Sequence, residues 1–331
     1  MSERQASEGN RSTRRGGQSP TGPAATSWME VVRLRTLPAA VAPVILGAGA
    51  AAALGGFSLV RTLLAAGVAL ALQIGSNLAN DYSDGVRGTD DDRTGPPRLT
   101  ASGQVAPRRV KYAAFGCFGL GALFGLALVA LSGQWWLVAA GAAAVAAAWF
   151  YTGGSHPYGY MGLGEVFVFI FFGLMATGGT VYVQTGSVPG WVWLAASGIG
   201  LIACSLLMVN NLRDIDTDPQ HGKRTLAVRL GERGARRAFV VMVCTPVVMA
   251  VLVPVWARAD LTAGAAEPGS VWRLLALVAV LLVVLTAMAA RTLRPVLAGA
   301  TGRALIPALR DAGLYELAYG VILAVALVAL V

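Results

Sequence analysis

Polar and apolar positions along this chain segregate in long blocks. Nine apolar stretches lie near residues 38–56, 60–80, 112–132, 134–152, 163–183, 190–211, 237–257, 271–290 and 312–331. Each approaches the ~20 residues that cross the ~30 Å hydrocarbon layer of a bilayer. Only helices satisfy their own backbone groups within such a segment, so the pattern predicts an all-α polytopic membrane protein, nine transmembrane helices in one bundle. Two of the stretches end in acids. In QIGSNLANDYSDGVRGTDDDRTGPPRL, from Gln73 to Leu99, helical spacing puts Gln73, Asn77, Asn80, Asp81 and Asp84 on one polar face of an otherwise apolar helix. In NNLRDIDTDPQHGKRTLAVRLG, from Asn210 to Gly231, Asp214 and Asp218 stand at i, i+4. The two clusters look like halves of one site, repeated four spans apart in the same direction, and a duplication of this kind predicts that the two ends converge.

Composition agrees with the pattern. The chain has 331 residues, 56% hydrophobic and only 13% charged, which leaves no soluble module long enough to fold alone. Residues 1–27 are rich in Ser, Gly, Arg and Pro and predict a disordered tail, so the domain is expected over 28–331. No cleavable signal peptide is expected before the first apolar stretch. The net charge of +9 would suggest nucleic acid in a soluble protein, but here it sorts by side. Of 26 Lys and Arg, 23 fall in the tail, the two acid-bearing loops and the connection at 291–310, leaving Arg61, Arg258 and Arg273 opposite. By the positive-inside rule the tail and acidic loops are cytoplasmic and the C-terminus outside. Cys117, Cys204 and Cys244 lie in apolar spans without pairing or metal spacing and read as small packing residues.

The acids carry the chemistry. Eight of the 17 lie in the two clusters: Asp81, Asp84, Asp90, Asp91, Asp92, Asp214, Asp216 and Asp218. Carboxylates crowded at a bundle mouth call for cations, and an all-oxygen set selects a hard ion such as Mg²⁺, which shares its shell readily with phosphate. Arg87, Arg93, Arg98, Lys223 and Arg224 supply further positive charge for a diphosphate. Asp90–Asp92 and Asp216 read equally as solvated loop acids. Asp81, Asp84, Asp214 and Asp218 instead continue a stripe with Asn77, Asn80 and Asn210, whose amides need partners inside a span.

These residues carry a resemblance. Asn80-Asp81-x-x-Asp84 with Asp214-x-x-x-Asp218 resembles the UbiA-type intramembrane aromatic prenyltransferases. More narrowly, NLANDYSDGVRGTDDDRTGPPRL, GYMGLGEVFVFIFFG, NNLRDIDTDPQHGKRTLAVRLG and the opening RLRTLPAAVAPVILG are similar to the 1,4-dihydroxy-2-naphthoate polyprenyltransferases of menaquinone synthesis, over most of residues 28–240. The superfamily's further acid, four residues after Asp84, is replaced here by Gly88, which makes Asp90 the candidate substitute.

The resemblance implies Mg²⁺ on Asp81, Asp84, Asp214 and Asp218. It implies substrate binding by Asn77, Asn80, Arg87, Asp90, Arg98, Asn210, Asn211, Lys223 and Arg224, with a polyprenyl diphosphate on the metals and its tail toward membrane lipid, and by Arg35 and Tyr151 on the acceptor side. The naphthoate ring would capture the allylic cation, losing CO₂ and a proton to give demethylmenaquinone. Glu165, at the start of span five, is placed to position or deprotonate the acceptor phenol; the alternative is a first-turn acid set against the helix dipole. Tyr151, His156, Tyr158 and Tyr160 would line the mouth. A sister enzyme for another ring, such as 4-hydroxybenzoate, would share the aspartates. A CDP-alcohol phosphotransferase would need a motif this chain lacks. A transporter with an acidic ion site would need ionisable groups near mid-membrane in several spans.

Overall fold

In the computed structural model of the chain, the described residues are 37–88, 99, 100, 103, 105–262 and 270–331. The predicted tail 1–27 lies outside them, as do Arg35, Asp90 and Arg98. The described residues form helices and no strands. In order, the long helices are α1 (Leu37–Ala53), α2 (Leu59–Arg87), α3 (Pro107–Ser132), α4 (Leu137–Phe150), α5 (Gly164–Thr185), α6 (Gly190–Arg213), α7 (Leu226–Thr262), α8 (Ser270–Leu297) and α9 (Ile306–Val328). Short 3₁₀ turns at Tyr158–Met161 and Asp218–His221 precede α5 and α7, and a third at Gly302–Leu305 leads into α9. Seven helical stretches are long and apolar enough to cross a membrane, while α1, with 17 residues, and α4, with 14, are shorter. The protein is a multi-pass membrane protein.

Helix ends overrun the predicted spans on the acid-bearing side. A hydropathy window stops where polar residues begin, but the backbone ladder of α2 continues to Arg87. It closes there on Gly88, whose left-handed φ of 72° lets its N–H reach the carbonyls of Asp84 and Gly85. Both α2 aspartates are therefore held on rigid helix. α7 likewise starts at Leu226, and Gly231 (φ 68°, ψ 167°) breaks its first turn from the rest.

In lipid there is little hydrophobic force between helices, so close approach relies on small residues. Gly173 of α5 meets Gly200 of α6 so tightly that a Cβ on Gly173 would stand 2.6 Å from the Gly200 Cα. The neighbouring stretch Phe169–Met175 winds as a π-helix, a local widening frequent at functional sites. α6 is the central helix, packed against α7, α9, α1 and the Phe169–Met175 stretch of α5, with Trp191, Ile199, Ile202 and Met208 fully buried. A smaller cluster, Leu78, Ala79, Leu99, Val110, Ala114 and Phe118, joins α2 to α3. Large side chains such as Leu123, Trp272 and Val283 stay exposed on the outside, as a lipid-facing surface requires.

Candidate active site

The acid-bearing ends of α2 and α6 open on one cavity of about 1230 Å³. Its polar end is lined by Asn77, Asn80 and Asp84 from α2, Asn210 and Asn211 from α6, and Asp214, Asp218 and Lys223 just beyond, with Tyr151 and Tyr160 from the α4–α5 connection. Its other end is lined by Ala65, Val68, Gly125, Leu126, Val129, Val138 and Ala142 of α2, α3 and α4. From Asn80 back to Ala65 is fifteen residues, or ~22 Å of helix. The cavity thus joins an acidic mouth to a long apolar trough of small side chains.

Asp84 is the meeting point of the two halves. The Tyr160 hydroxyl donates to its Oδ1 at 2.7 Å, and Lys223 Nζ lies 3.2 Å from its Oδ2. Lys223 also sits 5.0 Å from the centre of the Tyr160 ring, with the Arg87 guanidinium at 5.5 Å. Thr152 Oγ1 donates to Asn80 Oδ1 at 2.8 Å, and Gln73 Nε2 to Asn77 Oδ1 at 3.3 Å. Asp214 is gripped by Arg213, whose Nε donates to its Oδ1 at 2.8 Å. Tyr158 stacks on Phe167 with ring centres 3.9 Å apart and donates to the Ala147 carbonyl at 2.8 Å; burial pushes its phenol above the usual range, so it stays a donor.

Four of the predicted residues stand elsewhere. Asp81 does not line the cavity, although its neighbour Asn80 does. Fully buried, it turns away and accepts the backbone N–H groups of Leu99 at 3.1 Å and Thr100 at 3.0 Å, fastening the end of the loop that follows α2. Arg87 donates to the carbonyls of Thr152 and Gly154. Arg224 is exposed; its backbone N–H donates to the Tyr160 carbonyl at 2.9 Å and its own carbonyl accepts from Arg229. Glu165 is buried behind Asn211, which donates to its Oε1 at 3.2 Å, while Oε2 has no partner. Asp216 and His156 are exposed.

Sequence reasoning missed three participants. Thr152 and Arg213 hold Asn80 and Asp214 in place, and neither stands out from sequence. Glu316 of α9, fully buried in the cavity wall, was findable as a lone carboxyl in an apolar span.

Among the described residues no three His, Cys, Asp or Glu side chains stand close enough together to cage an ion. The donors are oxygens, and Mg²⁺ binds typically through one or two carboxylates plus substrate phosphate and water. Asp84 on one wall and Asp214 and Asp218 on the other fit an ion that arrives with a diphosphate, rather than a closed structural site.

A bundle of apolar helices around an acid-mouthed, hydrocarbon-lined cavity defines an intramembrane protein whose site joins a polar end to an apolar one. The chain matches the UbiA prenyltransferase family over residues 40–295, and it belongs to that family. It is 48% identical to the 1,4-dihydroxy-2-naphthoate octaprenyltransferase of Mycobacterium tuberculosis, over 91% of this chain and 96% of that protein. It is 43% identical to the Escherichia coli protein of the same name, over 64% and 70%. Among solved structures it is similar in fold to a UbiA homolog from Archaeoglobus fulgidus bound to DMAPP and Mg²⁺, with a TM-score of 0.60 at 15% identity over 91% of this chain and 99% of that one. The apo UbiA homolog from Aeropyrum pernix gives 0.60 at 17% identity, over 91% and 98%.

Proposed function

We propose that this protein is a Mg²⁺-dependent prenyltransferase that moves a polyprenyl chain from its diphosphate to 1,4-dihydroxy-2-naphthoate, a step of menaquinone synthesis. The observation that carries this reading is the single cavity joining Asp84, Asp214, Asp218 and Lys223 to an apolar trough of ~22 Å. Its two chemistries match the two ends of one donor. The naming of the M. tuberculosis and E. coli relatives supports the acceptor.

In this reading Asp84, Asp214 and Asp218 hold Mg²⁺ with the diphosphate, and Asp81 serves by fastening the loop at Leu99 and Thr100. Mg²⁺ supplies positive charge that stabilises the departing pyrophosphate. Lys223 turns from Asp84 toward phosphate oxygen, the kind of charge-assisted contact that amine already makes. Asn77, Asn80 and Asn210 offer amide donors along the same wall. Tyr151, Tyr158 and Phe167 present ring faces and edges to the cationic prenyl end. The C–O bond to diphosphate breaks, and the ring carbon bearing the carboxylate bonds to the prenyl carbon. The C–CO₂ bond then returns its electron pair to the ring. Glu165, buried behind Asn211, holds that amide at the cavity wall, where it positions an acceptor hydroxyl. The product is the reduced form of demethylmenaquinone.

Residues 28–331 act as one intramembrane domain, and the excess of Lys and Arg beside the acids supports a cytoplasmic mouth, with the C-terminus outside. Lipid donor and lipid product enter and leave sideways through the bilayer. The test is turnover by the detergent-purified protein with a polyprenyl diphosphate and the naphthoate. A prenylated naphthalenediol formed with Mg²⁺ and abolished by EDTA supports the reading. A Mg²⁺-independent reaction, or none, overturns it.

A further inference from the structure

Among the described residues, six buried side-chain polar atoms have no hydrogen-bond partner, and both oxygens of Glu316 are among them. The others have simpler accounts. The Thr100 and Thr177 hydroxyls can rotate, Trp191 has a single donor, and Glu165 keeps one oxygen on Asn211. Glu316 alone in this set is a carboxyl with nothing on either oxygen, at 0% exposure, in a helix otherwise packed for contact. Buried carboxyl groups without partners are costly, and each one asks for a reason.

Its position supplies one. Four residues on, Gly320 lies so close to α1 that a Cβ there would stand 2.6 Å from the Ala42 carbonyl oxygen. Three residues on, the Tyr319 hydroxyl points to the Ala195 carbonyl of α6 at 3.5 Å. α9 is thus wedged between α1 and α6, and Glu316 is one of the residues that line the cavity. On the α6 side of the cavity wall, next to Ala203, the Cys204 thiol donates to the Glu165 backbone carbonyl at 3.1 Å.

We propose that Glu316 binds the aromatic acceptor, receiving one of its two ring hydroxyls, while the other is left to Asn211, the cavity-wall amide that Glu165 braces. This rests on the proposed naphthoate reaction and goes beyond it, by assigning to α9 the recognition of the second hydroxyl. An acceptor that brings a hydroxyl to Glu316 fills its partner-poor position, whereas a ring lacking that hydroxyl leaves the carboxyl bare. Sites built to pair a substrate hydroxyl reject analogues lacking it strongly. The empty site keeps Glu316 at a cost to stability, a mark of a residue held for its ligand.

The experiment uses full-length protein in detergent, as wild type, Glu316→Leu and the near-isosteric Glu316→Gln. The acceptors are 1,4-dihydroxy-2-naphthoate and its 1-hydroxy and 4-hydroxy analogues. Glu316→Leu should raise the KM for the dihydroxy acceptor roughly ten- to hundred-fold, the loss of one hydrogen bond to a charged group. The donor KM should stay within about twofold, and Glu316→Gln, which still accepts a hydrogen bond, should fall between. One mono-hydroxy analogue, the one lacking the hydroxyl Glu316 receives, should be insensitive to the substitution. The ligand-free Tm of Glu316→Leu should equal or exceed that of wild type, because an unpartnered carboxyl has been removed. Wild-type acceptor KM in Glu316→Leu, or equal losses for all three acceptors, overturns the assignment. If Glu316→Leu does not fold, a lowered Tm with unchanged acceptor KM in Glu316→Gln makes the residue structural and also overturns it. Failure of the wild type to use the naphthoate while using another phenol would sink the acceptor reading instead, and Glu316 would then be scored on that phenol. No aromatic prenylation at all sinks both.

Discussion

Lys223 reaches Asp84 at 3.2 Å across 139 residues of sequence, and this ion pair ties the two acid-ended helices into one mouth. The pair is nearly closed to solvent, and Tyr160 occupies the other Asp84 oxygen at 2.7 Å. A cation arriving with diphosphate must replace these two hydrogens on the carboxylate. Lys223 then has an anion to follow, so loading the mouth exchanges one charge pair for another without stranding either group.

The two aspartates of α2, three residues apart, should fail differently. Asp84→Asn removes charge from the cavity wall and should cut Mg²⁺-dependent turnover by roughly 10²–10³-fold, the usual cost of losing a group that stabilises developing charge. Asp81→Asn weakens two charge-assisted bonds to the Leu99 and Thr100 amides and should destabilise the fold by about 1.5–3 kcal/mol. Its residual activity should keep the wild-type Mg²⁺ half-saturation. Mg²⁺ titrations and detergent melting curves on both variants decide this; a shifted Mg²⁺ requirement in Asp81→Asn with unchanged melting would return Asp81 to the metal.

Lys223→Gln should raise the KM for the prenyl diphosphate about ten-fold or more, as expected for one lost contact to a charged group, with little change in the acceptor KM. Steady-state kinetics with each substrate varied in turn provide the check. An unchanged donor KM would limit Lys223 to its pairing with Asp84.

The α5–α6 crossing should be intolerant of even one added carbon. Gly173→Ala would drive a methyl against the Gly200 backbone and is expected to lower stability by about 1–3 kcal/mol. The control is Gly179→Ala on the same helix, where a Cβ meets open space. Similar melting temperatures for the two variants would contradict the packing described.

Much of this site was legible because polar groups in an apolar helix are expensive: Asn77, Asn80, Asp84, Asp214 and Asp218 announce themselves against their surroundings. Helix type followed from the same physics. The Asp81 contacts were not legible, because its partners are the backbone of residues 99 and 100, and where a loop returns is a tertiary fact that no spacing encodes. Glu316 was passed over because acids were weighed by cluster, and it stands apart from both clusters, with Asp311 as its nearest acid in the chain. The π-turn at Phe169–Met175 has no composition of its own, since FIFFGLM reads as ordinary apolar helix. The overrun of α2 to Arg87 hid in the same way, behind the fall in hydropathy at its polar end.

The account's central claim is transfer of a prenyl group to a naphthoate at the ring carbon that bears its carboxylate. The direct measurement is paired release of pyrophosphate and labelled CO₂ from carboxyl-labelled 1,4-dihydroxy-2-naphthoate, by purified protein supplied with a polyprenyl diphosphate and Mg²⁺. The two should appear in equal amounts, with little reaction when 4-hydroxybenzoate is the acceptor. Robust prenylation of 4-hydroxybenzoate with its carboxylate retained, and none of the naphthoate, would contradict it.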